Sequence, residues 1–181
     1  MNILEMMLGG QDAGQLGRLA GQFGIDEGQA RSALEQLVPA LSRGMRRNVQ
    51  SSEGLESLTR ALEQGNHRRY VEDPGALADP HTVDDGNAIL GHLFGSKKVS
   101  REVAGRAAAQ TGLDSGLLKQ MLPIIASMMM GSMSSQAQAG GMAPTGVRKE
   151  GMMDILGGFL DADKDGSIAD DLFGMASRIF R

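Results

Sequence analysis

Apolar residues recur at helical spacing along most of this chain, and the pattern breaks twice at the same punctuation. In "LAGQFGIDEGQARSALEQLVPAL" (Leu19–Leu41), Ala20 stands four residues before Gly24, and Ile25 and Asp26 follow. In "AAAQTGLDSGLLKQMLPII" (Ala107–Ile125), Ala108, Gly112, Leu113 and Asp114 repeat that order. Gln36-Leu-Val-Pro39 then matches Gln120-Met-Leu-Pro123, with four more residues in the first copy, about one helical turn. Each copy predicts helix–turn–helix. The glycine ends the first helix in a left-handed conformation, the Ile or Leu packs under the turn, and the Asp caps the next helix. The proline inside that second helix frees a carbonyl one turn earlier and favours a bend.

A shorter pattern appears three times: "NILEMMLGG" from Asn2, "NAILGHLFG" from Asn87 and "DILGGFLD" from Asp154. Each predicts a short amphipathic helix with Asn or Asp in front as its cap. Ser51 or Ser52 is expected to open "EGLESLTRALEQG", and Ser100 to open "REVAGRAAAQTG". Between them "NHRRYVEDPGALADPHTVDDG", with Pro74 and Pro80, predicts turns and short helices. "MLPIIASMMMGSM" (Met121–Met133) is apolar all round, as a fully buried helix is. "GSMSSQAQAGGMAPTGVRKE" follows, and its composition predicts a flexible linker. The expected organisation is an all-α, multihelical core over 1–131, with two related helix–turn–helix units around a buried apolar helix. A linker over 132–150 then tethers a C-terminal helical tail over 151–181.

Composition supports helices. Hydrophobic residues make up 41% of the chain and aromatics only 3%, so Leu, Ile, Val, Met and Ala must build the core. Without cysteine there are no disulfides and no thiol chemistry. The net charge of −4 gives little reason to expect a nucleic-acid partner. Its distribution says more: residues 96–135 hold five bases and two acids, whereas 151–181 hold six acids and three bases. An acidic tail can lie on a basic middle, within one chain or between chains. Solvated helix faces explain the same charges. The apolar run of Met121–Met133 is too short to span a bilayer, and "MNILEMMLGG" lacks the basic start of a signal peptide. The expectation is a cytoplasmic protein, with export by a route needing no cleavable signal left open.

The runs "HRRYVEDPGALADP", "DDGNAILGHLFGSKKVSREVAG" and "GLDSGLLKQMLPIIASMMMG" resemble the YidB-like family of bacterial proteins of unknown function. The resemblance spans roughly residues 1–135, and the tail also looks like tails seen on such proteins. It implies an all-helical bacterial protein, and it carries over no activity and no site residues.

Candidate chemistry is sparse. "DADKDGSIADDLF" places Asp161, Asp163 and Asp165 at alternate positions, Gly166 at the turn and the Ser167 carbonyl next. That is the start of a calcium loop, and calcium is the one cofactor the sequence suggests. The bidentate Glu that should close the loop is replaced by Leu172, leaving Asp170 or Asp171 to close it. Asp165 or Ser167 capping a helix explains the same residues. The Ala-x-x-x-Gly-Ile/Leu spacing is also that of DNA-binding helix–turn–helix motifs. Here, however, "DEGQARSALEQL" is acidic and "DSGLLKQMLPII" apolar, where a groove reader needs cations and amides. Arg43, Arg46 and Arg47 are ordinary near a helix end. No two of His67, His81 and His92 stand at the i, i+3 or i, i+4 spacing that pairs ligands on one helix face, and no nucleophile elbow or P-loop is present, so no enzyme is expected. Met128, Met129 and Met130 fit either the core or an adaptable surface for a partner helix. The leading expectation is an interaction or assembly protein whose tail helix, through Ile155, Leu156 and Phe159, docks on its own core or a neighbour's. A linker of ~18 residues reaches roughly 20–25 Å on average, enough for such docking. A calcium-binding accessory protein and a DNA-binding protein are the alternatives.

Overall fold

The computed structural model describes residues 13–139, Gly65 and Pro74 excepted. Among these residues seven α-helices follow one another: α1 (Ala13–Phe23), α2 (Glu27–Val49), α3 (Ser52–Gln64), α4 (Arg69–Glu72), α5 (Pro80–Phe94), α6 (Lys97–Thr111) and α7 (Ser115–Ala139). A 3-10 turn, Ala76–Ala78, precedes α5, and no strand occurs among the described residues. The all-α expectation holds. The calcium-loop residues Asp161, Asp163, Asp165, Ser167, Asp170 and Asp171, and the tail residues Ile155, Leu156 and Phe159, lie outside the described residues. So does the Asn2 segment.

Both Gly-apolar-Asp turns form as their chemistry requires. Gly24 takes φ 64° and Gly112 φ 73°, where any side chain is strained. At the first turn the Gly24 N–H donates to the Gly21 carbonyl and the Ile25 N–H to that of Ala20, a Schellman closure. Asp26 then accepts from the Gln29 N–H at 2.8 Å while the Gln29 side chain accepts from the Asp26 N–H at 3.2 Å, a full capping box. Asp114 accepts from the Leu117 N–H at 2.9 Å. Helices α2 and α7 run unbroken through Pro39 and Pro123.

Helix α7 is the central helix, buried at every residue from Met121 to Ser134. Helices α5 and α6 are its chief neighbours, and α2, α3 and α4 complete the shell. Burying each Leu or Met of this layer contributes about 1.5–3 kcal/mol. The approach of α5 is so close that a Cβ on Gly86 would stand 2.0 Å from the Pro123 carbonyl oxygen. One turn earlier on α5, the Thr82 carbonyl accepts from the buried Ser127 hydroxyl at 3.0 Å. Residues 82 and 86 therefore meet 127 and 123, and α5 and α7 run antiparallel.

Three expectations need correction. Helix α5 starts at Pro80, with Asp79 as cap accepting from the His81 N–H at 2.9 Å, so Asn87 lies inside it. Proline suits the first helical position, where its missing N–H is not needed. Helix α6 starts at Lys97 with Ser96 as cap, so Ser100 lies inside that helix as well. Helix α7 runs on to Ala139, eight residues into the segment read as linker. Gly131 is small there because a Cβ would meet the His67 carbonyl oxygen at 2.7 Å and Val71 at 2.8 Å. A composition that suits a linker also suits the close approach of two backbones.

Candidate functional site: a basic groove between α2, α5 and α6

The C-terminal half of α2 and most of α6 face each other with matched spacing. Gln36, Ala40, Arg43, Gly44 and Arg47 line one wall, and Val99, Val103, Arg106, Ala107 and Gln110 the other. Both sets follow i, i+4, i+7, i+8, i+11, a single helix face. Leu93 and Phe94, at the end of α5, close the floor. Together with Arg46 these residues enclose an open cleft of ≈ 650 Å³. Each wall is about 16 Å long at 1.5 Å per residue, three turns of helix.

Local chemistry sets this shape. The Asn48 side chain donates to the His92 carbonyl at 2.8 Å and ties the end of α2 to the end of α5. The Phe94 ring then lies against Gly44, where a Cβ would stand 2.6 Å from it. Gly95 at φ 68° ends α5, and Ser96 opens α6 alongside.

The groove is apolar inside and positive at its lips. No acid lines it. Arg43, Arg47 and Arg106 are exposed, and none has an ion-pair partner among the described residues. Arg46 and Arg47 sit in the last turn of α2, where the helix dipole favours cations. Arg106 lies inside α6 and has no such account. Val99, 37% exposed, and Val83 are the exposed large hydrophobics among the described residues. The sequence reading had Arg43, Arg46 and Arg47 but missed Arg106, Val99, Val103 and the groove itself. The signal it had was the basic excess of 96–135.

Met128, Met129 and Met130 are 1–2% exposed, so of the two readings open to them the structure takes the core. An all-apolar helix beneath several others has no free face to offer.

A second polar cluster joins α4 to α5. Tyr70 is 1% exposed, and its hydroxyl donates to the Asp85 carboxylate. Arg69 reaches the same carboxylate oxygen at 3.1 Å and the Tyr70 hydroxyl at 2.9 Å, with its guanidinium 4.8 Å from the ring centre. Burial, and then the bond to Asp85, push the phenol above its usual range. The His67 ring lies 6.0 Å from that of Tyr70. Burial holds its imidazole below the ordinary value, against the pull of Asp85 and the Ala61 carbonyl. The two contacts to Asp85 join α4 to α5, as in a structural clamp. Among the described residues no three His, Asp or Glu side chains gather to hold a metal ion. No described helix is long and apolar enough to cross a membrane.

These features define an all-helical core carrying a basic groove. Residues 4–136 match the family described as bacterial protein of unknown function (DUF937), and the chain belongs to that family. No curated protein and no solved structure matches the chain.

Proposed function

We propose that this chain is a non-enzymatic interaction and assembly protein whose α2–α5–α6 groove takes an acidic amphipathic helix. The groove itself carries the reading. It is three helical turns long, apolar along its floor, and lipped by Arg43, Arg47 and Arg106, none of which is ion-paired to an acid among the described residues. Helix-in-groove recognition needs an apolar trough of this length, and the charged lips select the sign of the partner. A helix with Leu or Phe at i and i+4, flanked by Asp or Glu, is the matching shape.

The test is a titration of the full chain with a designed helical peptide of that pattern, followed by methyl NMR. Shifts should concentrate on Ala40, Leu93, Val99, Val103 and Ala107, and should disappear in an Arg47→Glu, Arg106→Glu double variant. Unmoved groove methyls at a large excess of peptide, or undiminished binding in the variant, would sink the reading. Phosphates of a nucleic acid would use the same arginines, so a duplex oligonucleotide is titrated in parallel. Salt-sensitive shifts with the duplex and none with the peptide would move the chain to the DNA-binding alternative.

A further inference from the structure

The groove is built for an acidic, apolar-faced segment, and the chain carries one outside the described residues. "DILGGFLD" (Asp154–Asp161) sets Ile155, Leu156, Phe159 and Leu160 at i, i+1, i+4 and i+5, with an Asp at each end. As a helix it would be about 12 Å long, inside the ~16 Å of the groove walls. Asp163, Asp165, Asp170 and Asp171 extend its negative charge. The Ile-Leu segment at the other terminus, "NILEMMLGG", holds a single acid, Glu5, and leads into α1 after only Gln11 and Asp12. It has neither the charge nor the tether.

Geometry decides whether the segment can arrive. Gly86 lies on Pro123, and α5 and α7 run antiparallel there. From that crossing the groove floor at Phe94 is eight residues along α5, about 12 Å at 1.5 Å per residue. Ala139 is sixteen residues the other way along α7, about 24 Å. The chain must therefore travel about 36 Å from the end of α7 to the groove. Residues 140–153 connect the two ends. Fourteen residues span about 46 Å when fully extended. A chain of Gly-, Ser- and Ala-rich composition has a mean reach near 20 Å. The span lies beyond the mean reach and within the limit. The local concentration of the segment at its own groove is then of order 0.1–1 mM. A neighbour present at micromolar concentration does not match that.

Resting on the reading above, we propose that the groove's resident occupant is the Asp154–Asp161 segment of the same chain. Ile155, Leu156 and Phe159 fill the floor over Leu93, Val99 and Val103, and Asp154 and Asp161 meet Arg43, Arg47 and Arg106. An outside partner must then displace this tail, and the acidic residues beyond it set how easily that happens.

The absence of cysteine allows a single probe. A nitroxide is attached to the full chain at Ala162→Cys, and groove methyls are followed by NMR. Most of the intensity of Leu93, Val99 and Val103 should be lost when label and isotope are on one chain. It should be kept when they are on different chains mixed at micromolar concentration. Adding Ile155→Asp and Phe159→Asp should restore the signals and tighten binding of the acidic peptide by roughly tenfold, as expected when a tethered competitor leaves. Broadening only in the mixed sample would overturn the same-chain assignment and make the contact one between copies. Unbroadened groove methyls, with the peptide still binding equally to both chains, would overturn the proposal while leaving the groove reading intact. Unbroadened methyls and no peptide binding to the Ile155→Asp, Phe159→Asp chain would overturn both.

Discussion

One of the closest approaches among the described residues is a backbone meeting a backbone. At Gly86 no side chain fits, because a Cβ would fall 2.0 Å from the Pro123 carbonyl oxygen. Neither backbone can move without shifting a buried helix, so strain is not relieved by a rotamer change. Gly86→Ala should cost about 3 kcal/mol, at the upper end of overpacking effects, although alanine is otherwise the better helix former. Urea unfolding checks this, and a stabilised variant would mean the helices are further apart than described. His67 gives a second residue-scale prediction. Its imidazole is held below the ordinary value of 6.5, first by burial. As pH falls past 6.5, the unfolded chain takes up a proton that the folded chain still refuses. The unfolded state then binds more protons, so stability falls with pH through that window and is level above it. His67→Gln should remove this component and flatten the profile below pH 6.5, measured by urea midpoints.

Legibility follows how local each signal is. Asp26 and Asp114 were readable as caps because cap, glycine and apolar residue all lie within three positions. Asp26→Ala and Asp114→Ala should each cost about 1 kcal/mol, seen as a lowered urea midpoint with an unchanged slope. The reciprocal bond, in which the Gln29 side chain accepts from the backbone N–H of residue 26, survives Asp26→Ala and is lost instead in Gln29→Ala. Signals that compete locally misled. Asp79-Pro80 reads as a turn if proline is taken as a breaker, yet it is the start of α5. Ser100 is a sound cap in isolation, but Ser96 stands one turn earlier and takes the role. Gly131 and the serines after it suggest a linker because composition does not say whether a small residue faces water or another backbone. The groove was not legible at all. Its walls come from residues 36–47 and 99–110, and only their packing reveals that Val99 is exposed and that arginines from both walls line one cleft.

At the scale of the whole molecule, the fold and the proposed binding groove draw on separate sets of residues, and substitution can tell them apart. The fold rests on α7, where Met121, Met128, Met129 and Met133 are at most 1% exposed beneath the surrounding helices. Met129→Ala should cost about 2–5 kcal/mol, because the shell cannot collapse fully into the space left behind. The groove borrows only the outer edge of that shell. Val99 is 37% exposed, and Arg47 and Arg106 are exposed. Val99→Asp should therefore move stability by no more than about 0.5–1 kcal/mol. In the groove it places a carboxylate where an apolar face and an acidic rim would dock, which costs both burial and charge complementarity. The expected result is an unfolding midpoint close to that of the parent chain, with binding of the acidic peptide lost. Met129→Ala should give the reverse: a large fall in midpoint, with the peptide affinity of the remaining folded protein unchanged. If Val99→Asp unfolds the protein, the groove is core rather than site. If Met129→Ala weakens binding well below its unfolding transition, the central helix takes part in recognition, and the division between the two sets fails.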